Sequence, residues 1–263
     1  MTTTADQTIA ALRSGHDALA AFVRKLGPDD LVRPSGAAEW TVSQVLSHLG
    51  SGAEINLAAL RAARAGDPAP GGDFNPTVWA RWDAMPPAEH AAGFLDANER
   101  LVEAYEALDP TARAELRVDL GFLPEPVDVA TAARMRLSEF ALHRWDVEVG
   151  FDPAATVAAD AVPLLLDQVG AMLAWTGRPD VLGGRRAVVA VRLHDPERTY
   201  GLRLGERVEL TDAPERSDGE LAAPAEAWLR LTVGRLGPRY TPEGVQVTGA
   251  VDLDELRGVF PGF

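Results

Sequence analysis

The stretch EWTVSQVLSHLG, residues 39–50, predicts the start of an amphipathic helix that carries a histidine beside its apolar stripe. Thr41 and Gln44 have the spacing of a capping box, so the helix is expected to begin just after Thr41. Trp40 precedes this cap, where a hydrophobic residue typically packs back onto the first turn as a staple. His48 has no such local explanation: it is either a partly exposed histidine at the border of the apolar stripe, or it has a partner elsewhere in the chain.

A second stretch, SEFALHRWDVE at residues 138–148, offers such a partner about ninety residues later. Glu139 and His143 are four residues apart, so on a helix they project from one face, one turn above the other. Apolar residues flank the pair, which predicts that both side chains point inward, and a buried carboxylate requires a compensating partner. Either the two form only a hydrogen-bonded pair, or they bind a divalent metal with His48 as the third ligand.

Two imidazoles and one carboxylate are typical of a catalytic zinc site, although the same ligands also suit iron(II). Asp146 follows His143 by about one turn and is placed to orient that imidazole, or alternatively to form a surface ion pair with an arginine. Trp145 is expected to pack at a helix–helix or domain seam rather than to form a substrate platform. The remaining histidines compete weakly, because two are predicted on solvated helix faces and one before a turn: His16, His90 and His194.

The length of 263 residues favours two domains, and the hydrophobic pattern changes near residue 153. Before that point the period is helical, with helices predicted over residues 4–25, 41–65, 87–108 and 128–150 and a Gly/Pro-rich loop over 65–76. After it, helices are predicted over 159–175, 223–235 and 253–260, and strands over 186–195, 199–205, 206–212 and 243–250. The predicted class is α+β, with a four-helix bundle over residues 1–153 and a smaller α+β domain over residues 154–263.

Composition excludes several classes of function. The formal net charge of -14 argues against nucleic acid as a partner, because that binding requires clustered basic residues. The absence of cysteine excludes disulfides, thiolate metal sites and cysteine nucleophiles, so any thiol chemistry needs an external thiol. With no export signal and no apolar run long enough to span a bilayer, we expect a cytoplasmic protein without a membrane partner, and we favour a monomer.

The two stretches, in this order, resemble the mycothiol-dependent maleylpyruvate isomerase family. The resemblance implies a DinB-like metal-binding four-helix bundle followed by a sterol-carrier-like α+β domain. It also implies that the zinc ligands are His48, Glu139 and His143. An arginine of the second domain is implied near the substrate, and Arg235 is our candidate, with Arg230 and Arg239 as rivals.

The implied function is catalysis with mycothiol as a thiol cosubstrate, by isomerisation of, or S-transfer to, an electrophilic small molecule. Two alternatives stay open: a metal-assisted hydrolase, and a non-catalytic module that binds a metal or an apolar ligand. A dicarboxylate substrate would require cationic groups, for which the nearest candidates are Arg136, Arg144 and Arg235. Three aromatic residues either wall an apolar pocket or pack in the core: Phe74, Trp79 and Trp82.

Overall fold

The computed structural model describes residues 3–262, apart from the side chains of residues 174 and 175. The chain divides into two compact units, Met1–Asp152 and Pro153–Phe263. The first unit is mainly helical and the second contains a sheet with helices, so the predicted α+β class is confirmed. Within the described residues, none of the helices has the length and apolarity needed to cross a bilayer.

The first unit is built on four long helices joined by shorter elements. Its elements are α1 (Thr4–Val23), α2 (Pro28–Leu31), α3 (Val42–Ala65), α4 (Phe74–Asp83), α5 (Pro87–Glu106), α6 (Pro110–Glu115), β1 (Arg117–Val118), β2 (Val127–Asp128) and α7 (Val129–Val149). Helix α3 packs against α5 and α7, and α1 packs against the same two helices. The four long helices therefore form the predicted bundle.

The helix ends follow the local signals in the sequence. At the start of α3, the Thr41 hydroxyl accepts from the Gln44 amide at 3.3 Å, and the Gln44 side chain accepts from the Thr41 amide at 2.9 Å. At the start of α7, the Asp128 carboxylate accepts from the Thr131 amide at 2.7 Å. Helix α3 ends at Gly66, whose φ of 72° is the left-handed conformation that glycine adopts without strain. Both predicted caps are confirmed.

The sequence pattern predicts no helix at α4, because residues 74–76 belong to the predicted Gly/Pro-rich loop. Pro76 lies in its first turn, where a missing amide donor is tolerated. The Trp82 side chain is buried over Gly50 of α3 and Gly93 of α5, where any β-carbon would come within 3 Å of the indole. Trp82 therefore packs in the bundle core, as one of the two sequence interpretations held.

The prediction that His16 and His90 lie on solvated faces is wrong. Their residues are only 2% and 6% exposed, because α1 and α5 bury more of their surfaces than the apolar pattern indicated. The Asn98 amide nitrogen lies 2.9 Å from Nδ1 of His16, whose Nε2 lies 2.6 Å from a Glu99 oxygen. Nε2 of His90 lies 2.8 Å from a backbone carbonyl oxygen. Both nitrogens of the buried His16 ring thus have a partner, whereas in His90 only Nε2 has one among the described residues.

The second unit contains a five-stranded sheet with flanking helices. Its elements are α8 (Val162–Leu166), α9 (Val169–Thr176), β3 (Ala187–His194), β4 (Arg198–Leu204), β5 (Val208–Thr211), β6 (Gly219–Pro224), α10 (Ala225–Thr232), β7 (Gln246–Gly249) and α11 (Leu253–Val259). The strand order is β5-β4-β3-β6-β7. Strands β3 and β6 are parallel, and the other neighbouring pairs are antiparallel.

Two predictions for the second unit need correction. The helix predicted over residues 159–175 is two helices, α8 and α9, and the one predicted over 223–235 begins at Ala225 and ends at Thr232. Strand β6, with the sequence GELAAP, was not predicted. Its small residues have weak strand preference, so its conformation depends on pairing with β3 and β7 rather than on local propensity.

Candidate metal centre

One side chain of α3 and two of α7, about ninety residues away in the sequence, meet between these two helices. Nε2 of His48 lies 3.2 Å from Oε2 of Glu139, and Nε2 of His143 lies 3.7 Å from the same oxygen. One potential ligand atom from each residue lies within 4.8 Å of the others. The structure therefore brings together the two imidazoles and the carboxylate that the sequence singled out.

Glu139 is ionised in this arrangement. The hydrogen bond with His48 and the neighbouring positive charges lower the pKa of its carboxyl to about 2, although burial acts in the opposite direction. The Glu139 side chain is 58% exposed, so the prediction that it points inward is wrong. The helix turn places it at the rim of the bundle, where the cluster opens to solvent.

His143 is oriented from its other side. Its Nδ1 lies 2.8 Å from Oδ2 of Asp146, whose side chain is fully buried at 0% exposure. A carboxylate accepts hydrogen bonds, so Nδ1 donates to Asp146, and Nε2 is the nitrogen that faces Glu139. Asp146 is therefore not at the surface, where the alternative interpretation of the sequence placed it.

Arg136, one turn before Glu139 on α7, connects three helices. Its guanidinium donates to the backbone carbonyl of Leu49 on α3 and to Oδ1 of Asn98 on α5, both at 2.8 Å. The residue is 3% exposed, and burial lowers its pKa to about 10. Because Leu49 directly follows His48, this buried cation fixes α3 relative to the helix that carries the other two members of the cluster.

A second group of possible ligands has different chemistry. His16, Asp17 and Glu99 also lie within 4.8 Å of one another. There, however, the Arg13 guanidinium donates to both carboxylates, at 2.8 Å to Glu99 and 3.3 Å to Asp17. Arginine supplies the positive charge at this second cluster, so we do not assign it a metal.

Trp40 is the component of the site whose role the sequence interpretation missed. Its ring centroid lies 5.3 Å from that of His48 and 5.9 Å from that of His143, nearly parallel to the latter with an interplanar angle of 21°. The staple position before the helix cap gave Trp40 a sufficient local explanation, so no periodic signal connected it to either histidine. Trp145, by contrast, is buried, at 1% exposure.

The candidate arginines differ in their surroundings. On α7, Arg144 donates to Glu148 at 2.8 Å. In the second unit, Arg230 is buried and donates to both oxygens of Glu226 at 2.7 Å. Arg235 lies beyond the end of α10 and is half-buried, and Arg239 is exposed in a short turn of 3-10 helix. Arg230 is therefore committed to an internal ion pair.

Comparison with known proteins places the chain in a family. Residues 12–148 match the family described as mycothiol maleylpyruvate isomerase N-terminal domain. No curated protein sequence matches. Two solved structures are similar in fold: a crystal structure of the mycothiol-dependent maleylpyruvate isomerase and one of its variant with a histidine replaced by alanine. For each, the TM-score is 0.66 and the identity 16%, over 96% of this chain and 98% of the other. Because the family match spans more than half of the 263 residues, the chain belongs to the mycothiol maleylpyruvate isomerase N-terminal domain family.

Proposed function

We propose that the chain is a metal-dependent enzyme that uses mycothiol to isomerise, or to transfer a thiol to, an electrophilic small molecule of the maleylpyruvate type. Family membership supports the reaction class, since the structurally similar enzyme is a mycothiol-dependent maleylpyruvate isomerase. The observation that carries the proposal is the convergence of His48, Glu139 and His143.

The distances in this cluster fit a zinc ion. Zinc binds histidine nitrogen and carboxylate oxygen at about 2.0–2.2 Å in a tetrahedron, which separates neighbouring ligand atoms by roughly 3.3–3.6 Å. The observed separations from the Glu139 oxygen are 3.2 Å to His48 and 3.7 Å to His143. The donor set also leaves a fourth tetrahedral direction for an exogenous ligand, as in catalytic zinc sites.

Each residue of the cluster has a defined role in the proposal. His48, Glu139 and His143 hold the ion, and Asp146 keeps the His143 lone pair directed at it. When bound, zinc would lower the pKa of a coordinated thiol and make the thiolate available at neutral pH. Glu139 acts as a ligand and not as a general base, since its pKa of about 2 makes it a poor proton acceptor.

The sulfur nucleophile must come from the cosubstrate, because the chain has no cysteine. Addition of the thiolate to a conjugated double bond forms a carbon–sulfur bond and moves the π electrons onto the adjacent carbonyl. Rotation about the new single bond, followed by expulsion of the thiolate, gives the isomer and regenerates the thiol. If the thiolate instead displaces a leaving group, the product is a thioether.

We assign substrate carboxylate binding to Arg235 of the second unit. A guanidinium matches the geometry of a carboxylate, and Arg230 is less suited because Glu226 already engages it on two nitrogens. Substitution of Arg235 by methionine is expected to raise the KM for maleylpyruvate and to leave zinc binding unchanged.

Elemental analysis and a thiol-dependent assay test the proposed function. Purified protein should contain about one equivalent of zinc, and His143→Ala should lose it, whereas His194→Ala, which removes an exposed histidine of the second unit, should retain it. With mycothiol, the zinc-loaded protein should convert maleylpyruvate to its trans isomer. Wild-type protein that binds no zinc would contradict the metal site. Turnover without a thiol would favour the hydrolase, and zinc binding without turnover would favour a binding module.

A further inference from the structure

The indole of Trp40 contacts both histidines of the candidate metal centre. The two imidazoles lie against it at centroid distances of 5.3 Å and 5.9 Å, and the residue itself is 37% exposed. A hydrophobic staple needs only a contact with its own helix. Contact with imidazoles from two helices, α3 and α7, is more than that local role explains.

The loop before α3 is built to hold this indole in place. Pro34 pairs with Thr41, and the Ser35 amide donates to the Trp40 carbonyl at 3.0 Å. The Gly36 amide donates at 2.7 Å to the backbone carbonyl of Asp146, the residue whose side chain orients His143. The loop that carries Trp40 is therefore fixed directly to the helix that carries two of the proposed ligands.

Two backbone features show that this loop conformation is specific. A β-carbon at Gly36 would approach the Val149 and Trp145 side chains to 2.6 and 2.9 Å, so only glycine allows such close contact with α7. Glu39, immediately before Trp40, has a φ of 64°, which is strained for a residue with a side chain. Such strain persists only where the surrounding structure determines it, and it is concentrated at functional sites.

The two imidazoles are oriented in different ways. His143 has the buried carboxylate of Asp146 on Nδ1. For His48, the described part of the chain provides a hydrogen bond at Nε2, to Glu139, and none at Nδ1. A metal-binding histidine is usually oriented by a hydrogen bond through its second nitrogen. His48 has no such bond to any group in the described part of the chain, and the indole of Trp40 lies against its ring.

We propose that Trp40 is a positioning residue for the metal site, whose indole holds the His48 imidazole in its ligand orientation by packing, as Asp146 holds His143 by hydrogen bonding. The proposal rests on the proposed metal function of the cluster. It assigns the EWT segment a role in metal affinity in addition to helix initiation.

Zinc affinity, measured by competition with a chromophoric chelator, tests the proposal. Trp40→Ala should bind zinc at least tenfold more weakly than wild type, which is the usual effect of losing a group that orients a ligand. Trp40→Phe keeps an aromatic ring and should restore most of the affinity. Trp79→Ala removes another exposed tryptophan, on α4, and should bind zinc as the wild type does.

A second measurement does not depend on affinity. Saturation with cobalt(II), which quenches nearby indoles, should reduce the tryptophan emission of wild type and Trp79→Phe, and the reduction should be much smaller in Trp40→Phe. Should Trp40→Ala fail to fold, as judged by circular dichroism, Trp40→Leu takes its place in the affinity measurement with Trp79→Leu as its control, and an unchanged affinity of Trp40→Leu would overturn the role of Trp40. Wild-type affinity in folded Trp40→Ala would overturn the role of Trp40 alone. Wild-type protein that binds neither zinc nor cobalt would overturn the metal site itself.

Discussion

At the scale of single residues, a buried carboxylate orients one of the histidines of the candidate site. Asp146 is fully buried, yet it acts on His143, whose Nε2 faces the more exposed Glu139. Burial removes competing water, so the hydrogen bond between Asp146 and His143 is stronger than the same contact at the surface. At the proposed metal site, a buried carboxylate thus orients an imidazole near the rim of the bundle.

Replacing Asp146 by asparagine tests this dependence. The neutral amide accepts a weaker hydrogen bond from Nδ1 of His143, so we expect zinc affinity to fall by about tenfold or more in a chelator competition. Glu148→Gln neutralises a carboxylate of the same helix that pairs with Arg144, away from the cluster, and serves as the matched control. Equal zinc affinities for the two variants would show that Asp146 does not orient the ligand.

His16 makes stability depend on pH. Burial is the main cause that lowers the pKa of its imidazole below the ordinary 6.5, and the charge of Arg13 adds to this, while Glu99 opposes it. Below about pH 6.5 the unfolded chain takes up a proton that folded His16 resists, so its contribution to stability is present above that pH and is lost as the pH falls.

We therefore expect the free energy of unfolding of wild type to fall more between pH 7.5 and 5.0 than that of His16→Gln, a variant that cannot titrate. Glutamine can still hydrogen-bond with Asn98 and Glu99, the two partners of His16. Urea denaturation at both pH values measures the difference. Equal decreases in the free energy of unfolding of the two proteins would mean that His16 does not cause the pH dependence.

At the scale of helices, close packing at glycine determines how α3, α4 and α5 fit together. The Trp82 ring lies over Gly50, where a β-carbon would come within 2.2 Å of the indole, and over Gly93, where it would come within 2.9 Å. The Trp82 Nε1 group also donates to Glu54 of α3 at 3.1 Å, which restricts the movement of the ring. Helix α4 can therefore pack this closely only because α3 and α5 each have a glycine beneath the Trp82 ring.

Substitution of Gly50 by valine should destabilise the protein. Overpacking a core costs about 1–3 kcal/mol, which exceeds the few tenths of a kcal/mol that valine gains over glycine in helix preference. Gly72→Val is the control, since a β-carbon at that loop position meets nothing within 4 Å. Urea denaturation measures both variants. A Gly50→Val protein as stable as Gly72→Val would show that Trp82 moves aside readily.

At the scale of the whole molecule, we propose that residues 1–152 and 153–263 are independent domains. Each unit has its own buried apolar residues, and the three proposed ligands and Asp146 all belong to the first. Domains with separate cores can in principle fold alone. The proposed metal binding should then require only the first unit.

The fragment 1–152 is expected to unfold cooperatively and to bind about one equivalent of zinc. Thermal melting followed by circular dichroism tests the first outcome and elemental analysis the second. The same fragment with His48→Ala should keep its helicity and lose the metal. A fragment that is helical but melts without cooperativity would show that the bundle needs the second unit to fold.

Features that depend on neighbours within one or two turns can be predicted from the order of residues alone. These include the caps at Thr41 and Asp128, the shared face of Glu139 and His143, and the exclusion of cysteine chemistry. Helix periodicity and capping are local interactions, so they can be read without knowing what packs against the helix. The position of His48, about halfway along a second helix, makes it the candidate third ligand, and the family resemblance implies the same three residues.

Contacts between groups on different elements depend on tertiary packing and follow from no local pattern. The 3.2 Å contact between His48 and Glu139, the burial of His16 and His90, and the position of Trp40 over two imidazoles all join residues on different helices or loops. Strand β6 likewise exists through its pairing with β3 and β7. The periodicity of apolar residues predicts which face of an element is buried. The element that packs against this face is determined by contacts between segments far apart in the chain.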